Sequence, residues 1–259
     1  MAKAAANRAG GARVHVGIGG WSYEPWRGLF YPKGLPQARE LAHVGEHLTA
    51  TEINATFYGR QKPASFAKWR DAVPDHFVFA VKGSRYCTVR KNLAEAGESV
   101  ANFVDQGIVE LGDKLGPINW QLASTKTFDA DEIAAFLALL PASHEGLPLR
   151  HAIEARHESF GDPAFFALLR KAGVAVILAD SEKYPAFDEA ADKAPFVYAR
   201  LQNAQAGLEL GYPAAELDRW ATRARGWAQA GRDTFVFFIN GAKERAPAAA
   251  QALIAWLEK

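Results

Sequence analysis

Eight short apolar segments recur along the chain, and most successive pairs are separated by a stretch in which apolar residues return every three or four positions. They lie at 14–19, 50–54, 77–82, 118–122, 152–156, 174–180, 196–201 and 235–240. Segments this short suit strands, and the intervening spacing suits amphipathic helices, so the order reads strand then helix, repeated. That alternation predicts a TIM-type (β/α)8 barrel, an α/β fold whose site is built at the C-terminal ends of its parallel strands. A chain of 259 residues with 49% hydrophobic content matches one such barrel. Residues 13–259 are therefore expected to form a single domain, preceded by an Ala- and Gly-rich mobile tail over 1–12.

Helical spacing is strongest over 64–72, 99–114, 130–140, 163–172, 214–230 and 246–257. Asp129 and Asp162 stand where N-caps belong, Pro163 and Pro213 suit first turns, and Gly116, Gly173 and Gly231 mark expected helix stops. The stretch 181–195 is short and weakly periodic, which predicts a vestigial helix. Residues 21–36 and 83–97 make long connections, the kind that carry substrate contacts at the catalytic face of a barrel.

A formal net charge of +1 provides no global field to draw in nucleic acid or an anionic membrane. No segment approaches the roughly 20 consecutive apolar residues of a membrane span, so no membrane association is expected. The first dozen residues lack the apolar core of a secretion signal. A single cysteine, Cys87, agrees with the expected cytoplasmic location and reads as an ordinary loop thiol.

Four separated runs carry a resemblance. They are G-G-W-S-Y-E-P-W-R-G-L-F-Y-P at 19–32, T-E-I-N-A-T-F-Y at 51–58, F-V-F-A-V-K-G at 77–83 and A-I-E-A-R-H-E-S-F at 152–160. In this order they resemble the YecE-like family, catalogued as domain of unknown function 72. The likeness extends from about Val14 to the C-terminus and implies a TIM-type barrel, with little said about a reaction. Two places depart from the family pattern. Its seventh strand usually ends in Arg, a hydrophobic residue and His-Gly, where this chain has Arg200, Leu201, Gln202 and Asn203; its eighth commonly ends Phe-Asn-Asn, where this chain has Phe238, Ile239 and Asn240.

Reading the last inward residue of each segment gives a rim too polar for a plain core: Gly19, Glu52, Asn54, Lys82, Gln121, Glu154, Arg156, Asp180, Arg200 and Asn240. Glu52, Glu154 and Asp180 are the candidates for acid/base catalysis. Trp21, Asn54, Lys82, Arg156, His157, Arg200 and Asn240 are the candidates for substrate binding. The same charges also suit a structural ion-pair network, but buried ions are a poor source of stability, which favours the functional reading. Lys82 reads as a counter-ion rather than a Schiff-base nucleophile, because the surrounding acids are expected to raise its pKa. Planar guanidinium forks at Arg156 and Arg200 suit a phosphate or carboxylate.

The rim offers at most one histidine beside its acids, so no metal and no cofactor are expected. His15, His43, His47, His76, His144 and His151 read as structural or solvated. The run G-I-G-G-W at 17–21 lacks the third glycine of a dinucleotide fingerprint, with Ser22 in its place. Trp21, Tyr23, Trp26, Phe30 and Tyr31 either stack on a ring of the ligand or pack their own loop, and packing is preferred because Pro25, Gly28 and Pro32 shape a compact turn. The chain thus reads as an enzyme acting by acid/base chemistry on a small anionic molecule. The alternative is a nucleic-acid-binding or repair-associated protein, for which an open groove flanked by Lys62, Lys68, Arg70, Arg85, Arg90 and Lys91 would speak.

Overall fold

The computed structural model describes residues 8–9, 12–191 and 193–259. Eight parallel strands lie in them: β1 (Ala12–Gly19), β2 (Ala50–Ile53), β3 (Val78–Lys82), β4 (Leu115–Gln121), β5 (His151–Glu154), β6 (Ala175–Asp180), β7 (Val197–Leu201) and β8 (Thr234–Phe238). Each pairs with its sequence neighbours, and β8 returns to β1 in the register Thr234 to Val14 through Phe238 to Ile18, so the sheet closes. The expected TIM-type barrel is the observed fold.

Side-chain alternation sorts the strands into two cores. Val16, Ile18, Ile53, Val81, Ile118, Leu178 and Val236 pack outward under the helices. Ala50, Ala80, Ala152 and Ala175 point inward from β2, β3, β5 and β6, and the space they leave is filled by Tyr198, Phe235 and Phe237 from β7 and β8. At Gly17 the strands β1 and β2 pass so closely that a Cβ would stand 2.0 Å from the Ala50 carbonyl oxygen, so no larger residue fits there.

The principal helices are α1 (Glu40–His47), α2 (Pro63–Asp71), α3 (Gly97–Val104), α4 (Ala130–Ala138), α5 (Pro163–Ala172), α6 (Ala214–Gln229) and α7 (Ala246–Leu257). The helix expected over 99–114 is divided. Gly107 takes φ 103°, which a right-handed helix cannot pass through, and the chain resumes as tighter turns at Ile108–Lys114. Gly116 is no helix stop but an interior residue of β4, which begins at Leu115 rather than at 118. Between β6 and β7 one helical turn forms at Asp188–Ala191, in keeping with the vestigial helix expected there. A small hairpin of Ser143–His144 and Leu147–Pro148 was not foreshadowed by the apolar pattern. Arg8–Ala9 pairs antiparallel with Ala12 and Arg13; residues 1–7 and 10–11 of the expected tail lie outside the described residues.

Asp129 and Asp162 cap as expected, accepting from the amides of Glu132 and Ala164 at 2.8 Å each. Replacing Asp162 by alanine orphans one amide at the start of α5 and is expected to cost about 1 kcal/mol, read as a lower urea midpoint at unchanged slope. No helix among the described residues is long and apolar enough to cross a membrane.

Candidate functional site

Glu52, Glu154 and Arg200 each stand two residues above an inward-facing neighbour, Ala50, Ala152 and Tyr198, and so share the inner face at the C-terminal rim. Arg200 Nη2 donates to Glu52 Oε1 at 2.9 Å, and Nη1 donates to Glu154 Oε2 at 2.5 Å. The other Glu52 oxygen accepts from Asn119 Nδ2 at 3.1 Å and from the Tyr198 hydroxyl. The other Glu154 oxygen accepts from Arg156 Nε and Nη2 at 3.1 and 3.0 Å. Every carboxylate oxygen of the pair is engaged, which is the condition on which buried ions persist.

Both carboxylates are 0% exposed and Arg200 is 1%. Burial opposes the charge on Glu52, yet Arg200, Lys82 and hydrogen bonds from Tyr198 and Asn119 hold its carboxyl below the ordinary value near 4.5. Burial also works against the Arg200 charge, and Glu154 with Glu52 outweighs it, keeping the guanidinium protonated. Glu52 and Glu154 therefore meet as expected, but as anchors for guanidiniums.

Above this network opens a mouth of about 630 Å³, lined among others by Trp21, Asn54, Phe57, Tyr58, Lys82, Gln121, Arg156, Arg200, Asn240 and Lys243. Four of these side chains are cationic, and among the described residues the carboxylates paired to them are the two beneath. The mouth is thus positively charged. Arg156 is held in place by Gln121 Oε1, 2.8 Å from its Nη2, and by the Tyr184 ring, 4.3 Å from its guanidinium carbon.

Lys82 differs from its neighbours. It is buried, its Nζ lies 4.3 Å from the Phe57 ring centroid, and it forms no ion pair among the described residues. Burial, then Arg200, pushes its ammonium down to about 8 despite Glu52 and Glu154. The sequence led to the opposite expectation, that nearby acids would raise it. The correction has a plain cause: both acids are already bound to guanidiniums, and one of those guanidiniums repels the lysine.

Trp21, Asn54, Lys82, Arg156, Arg200 and Asn240 all reach the mouth. Asn54 and Arg156 do so from just past the ends of β2 and β5. Asp180 does not converge with them. It shares a face with Val176 and Leu178, which pack outward, and its Oδ1 accepts from Asn203 Nδ2 at 3.2 Å. Burial, then Glu216 on α6, pushes its carboxyl up to about 6. The inward residue at that level of β6 is Ala179. His157 turns aside as well: its Nδ1 accepts from the Ser159 amide at 3.2 Å and caps the turn Glu158–Gly161.

Several contributors escaped the sequence reading. Asn119 and Tyr198 lie two residues below Gln121 and Arg200, so strand alternation signalled them. Lys243 sits on a short turn after β8, and Phe57 and Tyr58 on a short helix after β2; no periodicity marks them. Gln202, where the family pattern has histidine, accepts from Asn240 Nδ2 at 3.2 Å. In the first loop Trp26 and Tyr31 are 0% and 1% exposed, so those rings pack the loop, as preferred. Cys87 is buried on the short helix Arg85–Thr88 rather than in a loop, and burial pushes its thiol up to about 12.

A family model described as protein of unknown function DUF72 matches residues 15–259. Among solved structures, a DUF72 family protein of Thermotoga maritima superposes with a TM-score of 0.77 at 22% identity, over 95% of this chain and 99% of that one. A DUF72 family protein of Enterococcus faecalis V583 gives 0.72 at 17% identity, over 95% and 96%. The protein SacUVDE gives 0.56 at 11% identity, over 95% and 98%. At these identities the likeness is one of fold. No curated protein matches the chain.

Proposed function

The chain belongs to the DUF72 family, and on that premise we propose that its barrel mouth binds a small phosphate- or carboxylate-bearing molecule and performs acid/base chemistry on it. The observation that carries this reading is Lys82, an ammonium buried in the mouth beside Phe57 with its pKa brought down to about 8. A group that titrates close to neutral pH can both take and return a proton, which lysine at its ordinary 10.5 does poorly. Arg156, Arg200 and Lys243 supply the charge that grips the anion. Glu52 and Glu154 position the two guanidiniums.

The polyanion alternative called for an open groove flanked by Lys62, Lys68, Arg70, Arg85, Arg90 and Lys91. None of these six lines the mouth, and Arg70 is engaged by Asp71 at 2.8 Å. SacUVDE shares the fold and adds no residue-level support for that alternative.

Sulfate, whose charge is constant above neutral pH, is the probe. It is expected to raise the melting temperature beyond a chloride control of equal ionic strength, by preferential binding to the folded protein. Arg156→Gln is expected to remove most of that shift. The shift should also shrink as pH rises through about 8, where Lys82 loses its charge. Equal effects of chloride and sulfate, or a sulfate shift intact in Arg156→Gln, would refute the anion site.

A further inference from the structure

On α1, beside Phe30 of the first loop, His43, Glu46 and His47 form a cluster in which one ligand atom from each lies within 4.8 Å of those of the other two. The spacing H-x-x-E-H explains the meeting, since positions three and four apart on a helix stand over one another. The imidazoles are 4.1 Å apart between centroids and tilted by 32°.

The hydrogen bonds fix the tautomers. His43 Nε2 lies 3.0 Å from the Phe30 carbonyl oxygen, and His47 Nδ1 lies 2.8 Å from the His43 carbonyl oxygen. A carbonyl only accepts, so each of these nitrogens carries a proton, and in the neutral ring the other nitrogen is bare. A neutral imidazole with its N–H on a backbone carbonyl is the form in which histidine ligates metals, and the carbonyl holds the ring in orientation. Both rings are half-buried and held by backbone carbonyls, while Glu46 is exposed.

We propose that His43, Glu46 and His47 form a binding site for a divalent first-row transition ion of the zinc class. Two imidazoles and a carboxylate suit Zn2+, with water in the remaining tetrahedral position, and they are too few oxygens for Mg2+ or Ca2+. The ion also has a structural consequence. His43 is bonded to Phe30 of the first loop, and the same helix begins with buried Glu40, which accepts from Ser22 Oγ and Arg27 Nε at 2.9 Å each. An ion on α1 therefore stiffens the attachment of the loop that brings Trp21 and Ser22 to the mouth.

The test is calorimetric titration of Zn2+ into the full-length, chelator-stripped protein, with Co2+ absorption in the visible as a second readout. One equivalent of Zn2+ is expected to bind and not to be displaced by a large excess of Mg2+. His47→Ala should lose the site. Should that variant not fold, Glu46→Gln, which alters an exposed side chain, serves in its place and should weaken binding by at least about tenfold, the lower end of what even outer-shell substitutions cost a metal site. Absence of stoichiometric binding, or undiminished binding in both variants, would overturn the proposal.

Discussion

Arg200→Met is expected to destabilise the protein by about 3–5 kcal/mol, the range seen when one partner of a buried ion pair is removed. Methionine fills much of the arginine's space, so the loss is electrostatic rather than a cavity. It strips Glu52 Oε1 and Glu154 Oε2 of their guanidinium donors while both carboxylates remain 0% exposed. The pH dependence should invert. In the parent, Glu52 has a folded pKa below its ordinary 4.5, so it contributes stability that is present above that value and fades as pH falls through the folded pKa. Without Arg200, burial acts against less opposition and the folded pKa rises. Its penalty is then full at neutral pH and relieved on acidification, so the gap between variant and parent narrows toward about pH 4. Urea unfolding at pH 7 and pH 5 measures both effects. Adding Glu52→Gln and Glu154→Gln to the variant should recover much of the loss, because neutral amides tolerate the missing guanidinium. A loss below about 1 kcal/mol at pH 7 would show that the network holds little of the fold together.

Lys82→Met is expected to act in the other direction, stabilising the protein at neutral pH by about 3 kcal/mol. A lysine whose folded pKa is about 8 against an ordinary 10.5 carries a penalty for being charged in the folded state. That penalty is full below about pH 8, shrinks as pH rises toward 10.5, and is gone above it, since the lysine is then neutral folded or unfolded. The advantage of methionine should follow the same course. Response to sulfate should shrink in the same variant, as it does in the parent above about pH 8. Gain of stability with a weakened ligand response is the signature of a residue kept for function. A Lys82→Met protein less stable than the parent at pH 7 would indicate that Lys82 serves the fold as a counter-ion to Glu52.

The barrel was legible because strand and helix periods differ, and the apolar segments carry that difference for all eight strands. The convergence of the candidate site was legible where alternation and strand end coincide, at Glu52, Lys82, Glu154 and Arg200. Asp180 was misread for a specific reason. Alternation tied it to Val176 and Leu178, but it does not say which face is inward, and here the small residues Ala175 and Ala179 take the interior. Lys82 was placed correctly and its electrostatics inverted, because a sequence shows which charges are near but not which are already paired. Lys243, Phe57 and Tyr58 lie past strand ends on short turns, where position depends on the path of the loop. The spacing of His43, Glu46 and His47 stands in the sequence, but it is the helical register of α1 that brings the three side chains together.

Tyr198, Phe235 and Phe237 fill the barrel below Arg200, and this closes the base of the mouth under the layer in which Arg200 lies between Glu52 and Glu154. A small anion bound there as proposed is expected to be met end-on. On the proposed reading its charged terminus is expected at the base, with the remainder projecting past Trp21 and past Tyr58, which is 66% exposed, into solvent. Compounds that share an acidic terminus and differ only at the distal end should therefore compete with similar affinity. Selectivity among them is expected to reside in the first loop and the helix after β2, the parts of the rim that side-chain periodicity does not govern.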